Sequence, residues 1–338
     1  MAKRIVGISP WSPMDGTADY KLMQEAGIEW VRAGVTHPYT ETKGEISEKY
    51  LADLEKVRKM CDAGMRVAGI SPMPDFYNYI PELGRKDFKR LVPEWMGDFA
   101  SDEFYENVFE MTKKMAEDTR GLVDLWQVAN EMDIPWFHGR MTIQQAARYL
   151  VACAEGLRAG NPDALLGTNP SKYDSPDGLV LFDECYVKRP ELMDYVGVDC
   201  YFGTWHPGKV QDMAEVIDIL HEMTGKQVLI NEWGYNSAGG EAMPGAGGVC
   251  VSGHWEYVWR KEHSPEEQAA YVATGTRLLL TYPNCMGFLY YSWGDDGYCQ
   301  HCGKYGCPGE STWGITDGHN NPKPAYYALK ENVLKYNK

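Results

Sequence analysis

Two glutamates stand at the ends of apolar runs, a setting that suits groups doing chemistry. Glu131 closes Trp126-Gln127-Val128-Ala129-Asn130-Glu131, and Glu232 follows Val228-Leu229-Ile230-Asn231 and precedes Trp233-Gly234. An apolar strand ending in a carboxylate holds that group rigidly where the strand opens onto solvent. Two such groups facing each other can divide one reaction. One protonates a leaving oxygen while the other attacks, or activates water at, the neighbouring carbon, which is what breaking a glycosidic bond requires. A single glutamate at a strand end is more often a solvated carboxylate. The pair, at equivalent places in two separate runs, is the signal.

The elements that would position them alternate along the whole chain. Strand-like runs fall at residues 4–9, 30–35, 66–70, 125–129, 165–168, 195–201, 227–231 and 287–292, rich in Val, Ile, Leu and Tyr without strict alternation. That pattern suits parallel strands covered on both faces. Helical runs fall at 18–26, 47–64, 102–119, 142–159, 178–187, 209–224, 265–281 and 325–336. Ser47 and Gly64 are suitable caps for the second. Ser264, Pro265 and Glu267 read as a capping box with proline at the first helical position. Eight βα units in a row predict an α/β fold, a (β/α)8 TIM barrel, with residues 1–338 forming a single catalytic domain. Long loops after strands 3, 7 and 8 (residues 73–101, 237–264 and 295–324) all lie on the face where barrel enzymes carry their chemistry. No glycine-rich phosphate loop follows a strand, which disfavours a nucleotide-binding fold.

Composition narrows the partners. The chain has 338 residues, 44% hydrophobic and 24% charged, enough to bury a large core. A net charge of −15 opposes nucleic acid and anionic membrane surfaces, so neither is expected as a partner. No apolar run approaches the roughly 20 residues that a membrane span takes. The first residues lead straight into a strand without a long apolar leader, so a cytoplasmic protein is expected, the alternative being an exported one whose leader was removed. Nothing in the sequence fixes the oligomeric state. The 11 Trp, 22 Tyr and 9 Phe exceed what a core alone calls for, and aromatic faces stack on the C–H faces of sugars. Among the loop residues, Trp11, His37, Trp136 and His206 are candidate substrate contacts; Trp95, Trp205, Trp255, Trp259 and His138 lie in similar places. No H-x-H or H-E-x-x-H pattern is present, so a metal-dependent hydrolase is disfavoured and no catalytic cofactor is expected.

The order Asn130-Glu131 after strand four, Glu232 after strand seven and Tyr290-Tyr291-Ser292-Trp293 near the end of strand eight resembles glycoside hydrolase clan A, whose members are retaining (β/α)8-barrel glycosidases. The closing stretch, Trp313 to Asp317 and Lys323 to Leu329, resembles the clan's last loop and helix. The resemblance covers essentially the whole chain. It implies Glu131 as acid/base, Glu232 as nucleophile, Asn130 on the sugar 2-hydroxyl and Trp293 as the floor beneath the cleaved sugar. It further implies Arg32 orienting the nucleophile, where a surface arginine is the plain alternative, and Tyr201 hydrogen-bonding it, where a core tyrosine competes. Strand six carries Asp199-Cys200-Tyr201 in place of the His-x-Tyr of several clan families, and no loop identifies a sugar. The implied reaction is double displacement on β-linked sugars through a covalent glycosyl-enzyme, exo-acting on oligosaccharides. An endo-acting β-glycanase of mannanase or glucanase type, acting on a polysaccharide, is the alternative; a non-catalytic carbohydrate-binding barrel is the third reading. Retention expects Glu232 ionised beside Arg32, Glu131 protonated, and the two carboxyls about 5–5.5 Å apart.

Of nine cysteines, Cys299, Cys302 and Cys307 crowd the loop after strand eight and Cys250 lies in the loop after strand seven. Neighbouring loops could bring the four thiols to one structural zinc, with C-x2-C spacing at its centre. His254 or His301 could replace one ligand. Disulfides in an exported protein, or free thiols, are the alternatives. The other five sit in apolar segments and read as small buried hydrophobes.

Overall fold

The computed structural model describes residues 3–10, 18–245 and 247–338. Trp11 lies outside the described residues. Eight parallel strands form the barrel: β1 (Ile5–Ile8), β2 (Trp30–Gly34), β3 (Arg66–Ile70), β6 (Val123–Gln127), β7 (Leu165–Gly167), β8 (Tyr195–Cys200), β9 (Gln227–Trp233) and β10 (Cys285–Tyr290). Between β3 and β6 the chain forms an antiparallel pair, β4 (Asp75–Ile80) and β5 (Arg85–Arg90). The hydrogen-bonded order runs β7-β6-β3-β2-β1-β10-β9-β8. Amides of Asp194 and Gly197 then reach the carbonyls of Leu166 and Thr168 at 2.7 and 2.9 Å, which joins β8 to β7 and closes the ring.

Burial explains the unbroken apolar runs. Trp30, Ala68, Leu125, Tyr195, Leu229 and Leu289, one from each of six strands, form a small cluster that fills the barrel. The alternate residues, such as Val31, Val67, Trp126, Val196, Ile230 and Phe288, belong to a much larger cluster under the helices. Each strand thus spends both faces on packing, and the helices supply the outer layer.

The helices are α1 (Tyr20–Glu25), α2 (Glu48–Asp62), α3 (Asp102–Asp118), α4 (Pro135–His138), α5 (Ile143–Gly160), α6 (Pro176–Phe182), α7 (Met213–Thr224), α8 (Val249–Ser252), α9 (Pro265–Thr281) and α10 (Pro324–Tyr336). Ser47, Ser101, Thr142 and Ser264 each accept a backbone N–H at their helix starts. The expected box at Ser264 is only half made. The Glu267 carboxylate turns instead to Arg260, at 3.0 and 3.1 Å. The reciprocal box forms at Thr142 and Gln145.

The long loops hold more structure than their sequences suggest. Residues 73–101, expected to be irregular, contain the β4–β5 hairpin, whose second strand Arg-Lys-Asp-Phe-Lys-Arg is too charged to read as a strand. Its base is pinned by Asp75, fully buried, which takes Arg140 Nε at 2.7 Å and Nη2 at 3.1 Å. The loop after β10 folds into the short antiparallel pair β11 (Tyr298–Cys299) and β12 (Lys304–Tyr305). No helix among the described residues is long and apolar enough to cross a membrane.

Candidate active site

Glu131 reaches the barrel mouth through an unusual piece of backbone. The fourth barrel strand, β6, ends at Gln127 rather than at Ala129, and Ala129 and Glu131 both adopt positive φ, 55° and 40°. A residue with a side chain pays about 1–2 kcal/mol for that conformation, so the surroundings must impose it. They do. Val128 N–H reaches Gly167 O at 2.7 Å, Ala129 N–H reaches Ser71 Oγ at 2.9 Å, and Gln127 Nε2 donates to Ala129 O at 2.7 Å. Asp133 accepts from the amides of Ser171 and Lys172 at 2.9 and 2.7 Å, tying this turn to the loop after β7.

Glu232 lies within β9 itself, one residue before its end. Arg32 Nη2 meets its Oε1 at 2.6 Å, and Tyr201 donates its hydroxyl to Oε2 at 2.5 Å. Arg32 is held in turn: Nε donates to Gln127 Oε1 at 2.9 Å and Nη2 to Asn130 Oδ1 at 2.8 Å. Asn130 Oδ1 also accepts from Gln127 Nε2 and Asn169 Nδ2, both at 3.0 Å. Three donors on one oxygen fix the amide, so its Nδ2 is the group free to meet a ligand. All of Arg32, Asn130, Glu131, Tyr201 and Glu232 are less than a tenth exposed.

The two glutamates are electrostatically unequal. Burial first, then the charge of Glu232, then Asp133, push the Glu131 carboxyl well above the usual carboxylate range; the Ser171 hydroxyl and Arg32 pull it back only in part. Asp199, paired with Glu232 across β8 and β9, is also raised by burial and by the charges of Glu232 and Glu131. Its Oδ2 accepts from Asn169 Nδ2 at 2.7 Å. Sequence reading missed this network, though Asp199 and Gln127, polar residues inside otherwise apolar strand runs, carried a signal that could have found it; Asn169 had no such signal.

Both glutamates line one cleft of about 1210 Å³. Arg32, His37, Asn130, Trp136, Tyr201 and His206 line it as well. Burial and then Lys49 lower the His37 imidazole; burial and then Lys172 lower His206 to about 4, so both are neutral hydrogen-bonding groups near pH 7. Trp293 is placed differently from the expected floor. It is fully buried, its indole N–H reaches Asn320 Oδ1 at 2.6 Å, and its ring packs edge-on against Tyr326 of α10. The aromatic walls come from Tyr291, Trp205 and Trp313, with Trp136. His138 is buried away from the cleft lining, and Trp255 and Trp259 are packed in the loops above the barrel. Tyr77 and Asn78 of the β4–β5 hairpin also reach the cleft, as do His301 and Glu310.

Beside this cleft the four cysteines converge. Sγ atoms of Cys250, Cys299, Cys302 and Cys307 all lie within 4.8 Å of one another, with Cys250 and Cys299 at 3.7 Å. A tetrahedron with metal–sulfur bonds of about 2.3 Å has sulfur–sulfur edges of about 3.8 Å, so the spacing fits a zinc-sized ion. Gly309 packs tightly beside the cluster: a Cβ there would stand 3.1 Å from Val249 Cγ1 and 3.2 Å from Cys250 Sγ. No disulfide joins any of the nine cysteines. His301 is not a member of this cluster; its Nε2 meets Glu310 Oε1 at 2.9 Å.

No family model matches the chain, and no curated protein matches it in sequence. Solved structures do match in three dimensions. The GH2 β-galacturonidase of Eisenbergiella tayi, bound to galacturonate, aligns over 98% of this chain at TM-score 0.62 and 15% identity. This chain spans only 51% of that protein's length. The GH5_18 protein of Streptomyces cattleya, in complex with GlcNAc, aligns over 99% of this chain and 81% of its own at TM-score 0.70 and 14% identity. The GH53 catalytic domain of Ignisphaera aggregans aligns over 99% of this chain and 96% of its own at TM-score 0.64 and 18% identity. The fold shared with these proteins is the (β/α)8 barrel.

Proposed function

We propose that this chain is a retaining glycoside hydrolase acting on β-linked sugars, exo-acting on oligosaccharides, with Glu232 as nucleophile and Glu131 as acid/base. One observation carries the reading: two carboxylates share a cleft in opposite settings. Glu232 is ion-paired to Arg32 and accepts from Tyr201, while Glu131 is buried and pushed up in pKa. That division is what double displacement needs. The protonated Glu131 gives its proton to the glycosidic oxygen as that bond breaks, and Glu232 forms an ester bond to the anomeric carbon from the other face. Glu131, now anionic, takes a proton from water as the water oxygen attacks the same carbon and frees Glu232. Asn130 Nδ2 donates to the sugar 2-hydroxyl. The carbohydrate-cleaving names of the structural neighbours are consistent with this chemistry.

The test is a panel of 4-nitrophenyl β-glycosides and β-linked oligosaccharides, followed by trapping with a 2-deoxy-2-fluoro glycoside and mapping of the label. Label on Glu232 is the expected result; label elsewhere removes it from the nucleophile role. Glu131→Ala should accumulate glycosyl-enzyme, and added azide should restore turnover with a β-glycosyl azide product. Release of monosaccharide from chain ends supports exo action, and mid-chain scission would establish the endo alternative.

The second part of the proposal is a structural zinc held by Cys250, Cys299, Cys302 and Cys307. Four protein ligands leave no open position, so the metal would pin the loops after β9 and β10 and take no part in hydrolysis. Protein purified without added zinc should contain one zinc per chain; metal-free, fully folded protein would overturn the assignment.

A further inference from the structure

Double displacement uses two carboxylates, yet a third lines the same cleft. Glu310 has a side chain only 11% exposed. Its Oε1 takes His301 Nε2 at 2.9 Å, and its Oε2 accepts a long contact from the Tyr291 hydroxyl at 3.4 Å. Tyr291 packs edge-on to Tyr201, with ring centroids 6.4 Å apart, and Tyr201 is the residue on Glu232. Tyr291 and Tyr201 therefore link Glu310 to the carboxylate proposed as nucleophile, along the wall of one cleft. A carboxylate so far removed from water, in the cleft that also holds Glu232, is unfavourable unless partners offset it, and His301 supplies only one of them.

The mounting is as informative as the group. His301 lies between Cys299 and Cys302, and Glu310 follows Cys307 by three residues. The imidazole is boxed by Trp136 at 4.8 Å and Trp205 at 5.4 Å between ring centroids. Gly303 of the same turn has φ +70° and stands so close to Tyr79 of β4 that a Cβ would lie 2.3 Å from its ring. The thiol cluster and the hairpin thus clamp the turn from two sides and leave the carboxylate facing the cleft. A carboxylate has about four acceptor positions, of which His301 and Tyr291 take two.

We propose that Glu310 is a specificity-determining residue that accepts a hydrogen bond from a ring hydroxyl of a neutral pyranose, with His301 as its positioning residue and the four-cysteine turn as the mount. This rests on the glycosidase reading above. A uronate carboxylate at that position would meet Glu310 and be repelled.

The experiment is a cycle between protein and substrate. Wild type and Glu310→Gln are assayed on the 4-nitrophenyl β-glycoside that the wild type hydrolyses and on its monodeoxy analogues. Glu310→Gln should lose about tenfold to a hundredfold in kcat/KM on the parent glycoside, the range for a hydrogen bond to a charged group. One deoxy analogue should cost the wild type a similar factor and cost the variant almost nothing, a non-additive pair. Unchanged melting temperature and zinc content show that the variant is folded. Losses that multiply independently for every analogue overturn the proposal, because a purely structural glutamate has no preferred hydroxyl. Should Glu310→Gln prove insoluble, Glu310→Asp keeps the charge, withdraws it by one methylene, and carries the same cycle. A wild type that neither turns over any glycoside nor labels at Glu232 overturns the glycosidase reading itself, and this proposal with it.

Discussion

Replacing Tyr201 with phenylalanine should slow release of the sugar from the enzyme more than its capture. The lost hydroxyl sits 2.5 Å from Glu232 Oε2, while Arg32 stays 2.6 Å from Oε1, so the carboxylate keeps its charge partner and loses one donor. A hydrogen bond to a charged group in such a buried place is worth about 1.5–3 kcal/mol. In the glycosyl-enzyme of the proposed mechanism, where Glu232 would be an uncharged ester, it is worth least. In the transition state for deglycosylation roughly half of the carboxylate charge has returned, so removing the hydroxyl raises that barrier by about half of that energy, ~0.7–1.5 kcal/mol. The expected effect is a decrease of about three- to thirteenfold in kcat when deglycosylation limits. By the same accounting the free enzyme loses the whole hydrogen bond and the first transition state only part of it, so kcat/KM does not fall and KM drops at least in proportion to kcat. Stopped-flow assay with a dinitrophenyl glycoside should show a burst of one phenolate per enzyme. Equal losses in kcat and kcat/KM with no burst would refute the reasoning, since they would mean that Tyr201 serves the substrate or the fold and not the leaving carboxylate.

Three further expectations follow from the same geometry. Burial, Glu232 and Asp133 raise Glu131, so its proton is retained to higher pH and kcat/KM should fall only as pH rises through that raised value. Glu131→Gln, assayed with an activated leaving group, should lose this alkaline limb; a limb that persists would assign the proton elsewhere. Asp199 has a folded pKa raised above its unfolded value of about 3.9, so between the two the native state holds a proton the unfolded chain has lost, and stability falls as pH rises through that window. Asp199→Asn should remove the slope, and its melting temperature should gain on wild type from pH 4 towards neutrality; a pH-independent difference would show that Asp199 does not carry it. Cys299→Ser should abolish zinc binding and raise KM with the barrel's circular dichroism intact, whereas unchanged zinc content would exclude Cys299 as a ligand.

Most of the barrel was legible because a parallel strand covered on both faces leaves an unmistakable apolar run, and eight such runs separated by capped helices admit few topologies. The places of Glu131 and Glu232 were legible for the same reason: each ends such a run. The hairpin at Asp75–Ile80 and Arg85–Arg90 was not, since its second strand is stabilised by cross-strand pairing and by the Asp75–Arg140 contact and not by apolar character. Trp293 shows the limit of reading position from order alone. Its distance along the chain from β10 put it at the mouth, but Asn320 and Tyr326 draw its ring into the packing of α10, and Tyr291 and Trp313 face the cleft.

The sequence by itself determined the alternation of elements, the two carboxylates at strand ends and the crowding of three cysteines in one loop, because each of these is a local pattern. Only the tertiary structure decided what surrounds them. Gln127 reaches Arg32 across 95 positions of sequence and Asn231 across 104, and Tyr291 meets Glu310 from a different loop segment. Contacts of that range are made by barrel closure, which sets residues from every strand around one mouth, and no local pattern encodes which of them will share a hydrogen bond. The unequal settings of Glu131 and Glu232 belong to the same class: burial raises the one carboxyl while Arg32 and Tyr201 meet the other, all brought together by the closed ring.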